Sequence, residues 1–410
     1  MTKLLLVTYA FAAPWCYGFL SIGGDRIALT DVLLPIAAAL ILTRIRLPLT
    51  ELQWLLLLYP VIALLASLAV LGTGIEDAVF LKTARLWGTF APALLLTTSE
   101  VDMADLRRYV KAWAAGGGLS LMIGVAGFYL GWDFTAAHQT WGFNAGELLP
   151  RAGGVFQESG AYGHLLASWC VVTLLFAPTL TSRKRRVPLC ASVAALTALG
   201  LVVNVSRSAM LNLLVTAAVA VMLPATSSRR KRLAVAVCTV TVVAAALTFF
   251  APEGTALGAL RDRCVETYEG LALAADVLDQ TSSGRLSNWG LALDVWLERP
   301  LFGAGYKTMI PLYGSPGDST FILALAETGI AGGLALMLLF GLFVRRGVAM
   351  TVANAPLGRV LLIIWAGQFA HSLNVDVITF SGSMFAVLLL SAAIWTVRDQ
   401  TETEASCASC

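Results

Sequence analysis

A multi-helix membrane protein is the fold class this sequence predicts, and three observations carry that prediction. Of 410 residues, 58% are hydrophobic and only 13% are charged. The mean hydropathy is +0.78. The few charges gather between long apolar stretches instead of alternating with apolar residues, so the spans read as helices and not as strands of a barrel. A soluble domain carries roughly 25% charged residues, and with so few the uncovered apolar surface would aggregate in water. Soluble-enzyme and disordered classes are excluded, and a net charge of +3 gives no footprint for nucleic acid.

A crossing helix needs roughly 20 mostly apolar residues, because each adds about 1.5 Å across a hydrocarbon core of about 30 Å. About 12 transmembrane helices meet that requirement, near 4–22, 29–43, 52–72, 78–97, 109–131, 159–181, 187–205, 208–225, 233–250, 319–343, 359–375 and 379–397. The first follows Met1-Thr2-Lys3 with no small-residue cleavage signal and is read as a retained helix. The pairs 187–205/208–225 and 359–375/379–397 each total roughly 40 residues, too long for a single crossing even when tilted.

Short cytoplasmic loops collect Lys and Arg. With both termini cytoplasmic, Lys3, Arg44 and Arg46, Arg107, Arg108 and Lys111, Arg183 to Arg186, Arg229 to Arg232, Arg345 and Arg346, Arg359 and Arg398 all fall inside. Removing any one helix would put the later clusters on the wrong side. The remaining basic residues, among them Arg26, Lys82, Arg85, Arg151, Arg207, Arg261, Arg263, Arg285, Arg299 and Lys307, fall at the outer face. Basic side chains are costly to translocate, which directs attention there.

Two outer connections are long enough to hold structure: a loop at 132–158 and a large periplasmic loop at 251–318 with short helices. In the second, Leu286, Trp289, Leu293, Trp296 and Leu297 recur at three or four residues after Ser283-Gly284-Arg285, which fits a helix lying on the outer leaflet or covering a cavity. Cys16, Cys170, Cys190 and Cys238 lie in apolar runs, Cys264 is alone, and Cys407 and Cys410 end the chain, so no cysteine pattern indicates a metal or a disulfide framework.

The same region reads Ser283-Gly-Arg285-Leu-Ser-Asn-Trp289, then Glu298-Arg-Pro300-Leu-Phe-Gly-Ala-Gly305, then Asp318-Ser319 opening a helix with Glu327-Thr-Gly-Ile-Ala-Gly332. Upstream stand Ser206-Arg207-Ser208 and Arg151-Ala-Gly-Gly-Val-Phe156. In this order the motifs resemble the bacterial O-antigen ligase and O-antigen polymerase superfamily, over a core of roughly residues 140–345 within a single polytopic domain. The resemblance implies a GT-C-like glycosyltransferase architecture in the bacterial inner membrane. It implies metal-independent, cofactor-free transfer at the periplasmic face from an undecaprenyl-pyrophosphate-linked oligosaccharide to a glycan acceptor. It further implies a flippase upstream and a chain-length regulator alongside.

The residue chemistry suits such a reaction independently. A departing lipid pyrophosphate develops negative charge on oxygen, and Arg binds such oxygens bidentately without losing its proton. Arg207 and Arg285 are the leading candidates to hold it and Arg151 the third, each also readable as a headgroup contact. Lys82 and Arg85 share a helix face and either line the entry route for pyrophosphate or snorkel or pair with Glu76 or Asp77, and Lys307 is a further substrate-binding candidate. Asp318 stands where the ligases have His-Asn and is a candidate base toward the acceptor hydroxyl. It also reads as the N-cap of the next helix, with Ser319 and Thr320 assisting. Glu158 and His371 are further candidates on the same face, for substrate binding or as the base, with His371 ranked behind Asp318 and Glu158, and Glu327 reads as a buried structural carboxyl or a cavity group. Aspartate in place of His-Asn favours a polymerase of O-antigen or exopolysaccharide repeat units. The alternatives are a ligase transferring finished glycan to lipid A-core and, from another class, a 12-helix transporter. A transporter should show related halves and midplane ionisable groups, and this chain shows neither clearly.

Overall fold

The computed structural model describes residues 1–15, 20–22, 25–27, 29–132, 136–137, 151–156, 159–204, 206–223, 285–353, 355–378 and 381–397. The described residues form helices α1 (Thr2–Ala12), α2 (Leu29–Arg44), α3 (Glu51–Ser67), α4 (Glu76–Thr97), α5 (Met103–Leu130), α6 (Ser159–Leu180), α7 (Arg183–Asn204) and α8 (Arg207–Met222). After the large connection come α9 (Arg285–Glu298), α10 (Met309–Tyr313), α11 (Thr320–Val352), α12 (Pro356–Asn374) and α13 (Ser381–Thr396). Two short antiparallel pairings, β1 (Leu20–Ile22) with β2 (Asp25–Ile27) and β3 (Ala136–Ala137) with β4 (Arg151–Ala152), complete the described secondary structure. Glu51–Val70, Met103–Leu130, Ser159–Leu180, Arg183–Asn204 and Thr320–Val352 are each long and apolar enough to cross a membrane. The protein is therefore a multi-pass helical membrane protein. The segment expected at 233–250 lies outside the described residues.

Helix starts follow local chemistry. Thr50 opens α3 with a capping box, accepting from the Gln53 N–H at 3.3 Å while Gln53 Oε1 accepts from the Thr50 N–H at 2.9 Å. Asp102 opens α5 in the same way, taking the Asp105 N–H at 2.7 Å, and this bond holds its carboxyl below the ordinary Asp range. The cap starts α5 at Met103, ahead of the expected 109, so Arg107, Arg108 and Lys111 sit on its first turns. The helix expected over 4–22 is corrected: α1 ends at Ala12, a 3-10 turn covers Ala13–Trp15, and Leu20–Ile22 is a strand. Pro14 supplies no N–H to continue the helix.

Helix α13 is buried nearly all round, with Met384, Phe385, Leu388 and Leu389 almost inaccessible, and it packs against α4, α5, α6 and α12. Tyr9 of α1 stacks on Phe385 at 5.2 Å. Close approach elsewhere uses small residues: a Cβ on Gly117 of α5 would run into the Trp169 ring of α6. Helix α12 lies between α8 and α11. Three of the basic residues expected inside pair with acids: Lys3 with Asp105, Arg108 with Asp105 at 3.1 Å, and Arg345 with Glu51.

Helix α11 is broken. Gly329 takes φ 66°, ψ −169° within it. The loop from Arg299 to Gly305 fills the break: the N–H groups of Ala304 and Gly305 donate to the carbonyls of Ala326 and Glu327 at 2.8 and 2.9 Å. In return the N–H groups of Ile330 and Ala331 donate to the carbonyls of Pro300 and Leu301 at 2.8 and 3.3 Å. Backbone groups freed inside a bundle have no water to turn to, so the loop is what makes the break tolerable. The approach requires glycine on both sides, since a Cβ on Gly329 would collide with the Leu301 carbonyl and one on Gly303 with the Glu327–Thr328 backbone.

Gly329→Ala and Gly303→Ala are expected to lower stability by about 3 kcal/mol each, the sum of a left-handed φ and an overpacked contact. Gly341→Ala, with nothing within 4 Å of the added carbon, should leave it equal or slightly higher. Thermal unfolding of the detergent-purified variants by tryptophan fluorescence checks this, and an equal loss in all of them would contradict it.

Candidate functional site

The filled break fixes the position of the residues immediately after it. Past Gly305 come Tyr306, Lys307 and Thr308, and the N–H of Met309 donates to Glu327 Oε1 at 3.4 Å. Glu327 is only 2% exposed, so of the two readings of this residue the structure supports the buried, hydrogen-bonded structural carboxyl. Lys307, at φ 61°, donates through Nζ to Asp376 Oδ2 at 2.9 Å, linking the loop to the residues after α12. The neighbouring Tyr306 phenol is pushed well above its ordinary value by burial, with Tyr59, Asp376 and Glu327 adding to the effect.

Asp318 is the second non-glycine residue at positive φ among the described residues, at 47°. It is not the cap of α11: the N-cap is Ser319, which makes no side-chain cap bond. The capping expectation is thereby corrected. Ser319 Oγ donates instead to the Ser372 carbonyl at 3.3 Å, and Thr320 Oγ1 to the Val375 carbonyl at 3.0 Å while accepting from the Val377 N–H at 2.9 Å. The hydroxyls thus tie the turn to the end of α12. The Asp318 carboxylate accepts from Asn288 Nδ2 at 3.1 Å, and Asn288 Oδ1 accepts from Ser315 Oγ at 2.9 Å. Asn288 lies one turn after Arg285, so these bonds place the start of α9 beside the Asp318 turn. The helix is held on α11 by Ala292 and Val295, buried against Ala304, Met309, Leu323 and Ala326. Its leucines Leu286, Leu293 and Leu297 are exposed, which matches the outer-leaflet reading of that stripe.

Arg207 and Arg285 are the first residues of α8 and α9, and neither helix has an acidic residue in its first turn. Both are half-buried. Ser206 caps α8 by accepting from the Ala209 N–H at 3.2 Å. Below that cap, Asn212 Nδ2 donates to His371 Nδ1 at 3.3 Å, joining α8 to α12. His371 is fully buried and within reach of the Arg285 charge. Asn204 Nδ2 donates to the carbonyls of Ala152 and Ser159 at 2.8 Å each, which brings the backbone of the Arg151 stretch to the same end.

These bonds connect the elements that carry the candidates: Asn288 links the helix of Arg285 to Asp318, Ser319 links the Asp318 turn to Ser372 beside His371, Asn212 links His371 to the helix that Arg207 begins, and Lys307 reaches Asp376 just past α12. The Arg151 side chain and Glu158 lie outside the described residues. Arg85 pairs with Asp31 of α2 at 3.4 Å, not with Glu76 or Asp77, and Glu76 accepts from the Gly72 N–H. Sequence reasoning missed Asn288 as the holder of Asp318 and Asp376 as the partner of Lys307. The i, i+3 spacing of Arg285 and Asn288 was the available signal for the first. It also missed the polar group in which His164 contacts Ser383 and Gln368 while Gln368 Nε2 donates to Ser168 Oγ at 3.1 Å.

Cations at two helix starts, a carboxylate in a strained turn and a buried histidine meet at the end of a multi-pass bundle opposite its basic clusters, an arrangement suited to handling an anionic substrate at a membrane face. Residues 191–337 match the family model described as O-antigen ligase, a family of membrane enzymes that includes ligases and polymerases. The match runs from α7 through the Arg285, Asp318 and Glu327 motifs, and over this stretch the chain is similar to that family. No curated protein matches the chain.

Lys307→Ala should destabilise the protein by about 2 kcal/mol, because it leaves the mostly buried Asp376 carboxylate without its ammonium. Adding Asp376→Asn should recover part of that loss, as read by a double-mutant cycle in thermal unfolding; strict additivity would contradict the coupling.

Proposed function

We propose that the protein polymerises undecaprenyl-pyrophosphate-linked oligosaccharide repeat units by metal-independent glycosyl transfer at the periplasmic face of the bacterial inner membrane. The observation that carries this reading is the placement of arginines at the first positions of α8 and α9, with Arg285 one turn before the Asn288 that holds the Asp318 carboxylate. A cation at a helix N-terminus opposes the helix dipole and is disfavoured in isolation. Placed there with the unpaired N–H groups of the first turn, it becomes favourable when an anion binds.

In the reaction the acceptor hydroxyl oxygen attacks the anomeric carbon as the bond from that carbon to the pyrophosphate oxygen breaks. The hydroxyl proton passes to the Asp318 carboxylate, and the charge on the departing pyrophosphate is held by Arg207 and Arg285. Direct displacement inverts the anomeric carbon and needs no covalent enzyme intermediate. Arg151 and Lys307 are assigned to substrate binding, and Lys82 and Arg85 to the entry route of the pyrophosphate. The acceptor is a second lipid-linked unit, in keeping with Asp318-Ser319 where the ligases have His-Asn. A flippase delivers the substrate and a chain-length regulator acts beside the enzyme.

Arg207→Ala and Arg285→Ala should each lower transfer more than about 100-fold at wild-type folded abundance, and Asp318→Asn should lower kcat by about 10²- to 10⁴-fold. The assay is product analysis with reconstituted protein and lipid-linked oligosaccharide, without and then with lipid A-core. A ladder of lengthened lipid-linked glycan in the first mixture identifies the polymerase. Product only after lipid A-core is added makes it a ligase, and retained turnover in either arginine variant removes the pyrophosphate role.

A further inference from the structure

Two histidines meet inside the bundle, with ring centroids 4.9 Å apart at 86°, and their hydrogen bonding differs. His164 of α6 is satisfied at both nitrogens, Nδ1 by Ser383 and Nε2 by Gln368 Oε1, and the orientation of Gln368 is fixed by its own donation to Ser168. His371 of α12 is satisfied at one. Its Nδ1 faces Asn212 Nδ2 at 3.3 Å, and the amide orientation is set because Thr216 Oγ1 donates to Asn212 Oδ1 at 3.3 Å. Nδ1 is therefore an acceptor, and the neutral ring carries its one proton on Nε2. That Nε2–H is buried and has no hydrogen-bond partner among the described residues. Arg285 Nε–H is likewise buried without a partner among the described residues, and its helix is carried to His371 by two bonds: Asn288, one turn on, donates to Asp318, and Ser319 donates to the carbonyl of Ser372, the neighbour of His371. A buried donor without an acceptor costs about 1–3 kcal/mol, so two such donors at one place are a standing demand for acceptor oxygen.

The geometry points to His371 as an anion-binding group of this site, one that donates Nε2–H to a pyrophosphate oxygen of the lipid-linked donor beside Arg285, with Asn212 and Thr216 as positioning residues that hold its tautomer. This rests on the proposed lipid-pyrophosphate donor and assigns His371 the opposite role from a base. An acceptor nitrogen would face the guanidinium and be filled by it, whereas a donor nitrogen needs the same ligand that the guanidinium needs. The site is withdrawn from water, where a hydrogen bond to an anion is strongest.

The test is binding of undecaprenyl pyrophosphate to the full-length protein in nanodiscs, monitored by tryptophan fluorescence, together with transfer kinetics. His371→Asn keeps an acceptor toward Asn212 and loses the far donor; it should weaken binding about tenfold or more and raise KM more than it lowers kcat. His371→Gln places an amide N–H near the Nε2 position and should restore affinity to within about threefold of wild type. Both substitutions are polar and fill the same pocket, and a matched melting temperature shows that the comparison is made on folded protein. Wild-type affinity in the asparagine variant overturns the proposal. So does a fall in kcat alone, unrescued by glutamine and accompanied by loss of the rising limb of the pH–rate profile, which is the signature of a base. Arg285→Ala separates the two levels: if it abolishes binding while His371→Asn does not, the inference about His371 fails alone, and if neither changes binding, the pyrophosphate reading falls with it.

Discussion

The break in α11 at Gly329 and the loop that fills it are the constraint on which the site depends. Four backbone bonds join residues 300–305 to 326–331, and each satisfies a group that the interrupted helix would otherwise leave bare inside the bundle. Because those bonds are made by main chain, they fix position more strictly than side-chain packing would. They set where Lys307 leaves the loop, where Glu327 receives the Met309 N–H, and how the chain returns to the Asp318 turn. The two glycine-containing motifs, separated in sequence by α10 and its flanking turns, are thus the two halves of one structure.

The distribution of charge gives that structure its direction. At one end of the bundle the basic residues are numerous, exposed and paired with acids such as Asp105 and Glu51. Among the described residues expected at the other, Arg207 and Arg285 are half-buried and stand at helix starts. Only the second arrangement concentrates positive potential against a low-dielectric wall, where an anion gains most from it.

Much of this was legible in the sequence. Hydropathy marked most of the described helices within a few residues, since a run of apolar residues long enough to cross a bilayer has few other uses. The motif order also brought Arg207, Arg285 and Asp318 into one hypothesis before any contact was known. What escaped was whatever depends on conformations that residue type does not announce. Lys307 and Asp318 both sit at positive φ, a region non-glycine residues seldom enter, and there the side chain points away from where a helical or extended reading would put it. Hence Asp318 read as a cap and is not one, and the Lys307–Asp376 pair spans elements that no periodicity connects. The N-terminal helix was read too long because an apolar stretch continues past Pro14 while the hydrogen-bond ladder does not.

The pairing scheme explains how a carboxylate and guanidinium groups can share one site and remain chemically distinct. Left to find each other, Asp318 and Arg285 would form an ion pair, which would neutralise both the base and the anion-binding group. Instead Asp318 is held by the neutral amide of Asn288, which is itself anchored by Ser315. Asp376 is occupied by Lys307. Among the described residues no carboxylate pairs with Arg285, which is what the proposed anion-binding role requires. Asn288 and Arg285 lie one turn apart on α9, and the same short helix therefore presents the cation and holds the carboxylate away from it. The proposed reaction asks one group to take a proton from an acceptor and the other to stabilise a leaving anion, two tasks that a closed ion pair would perform poorly.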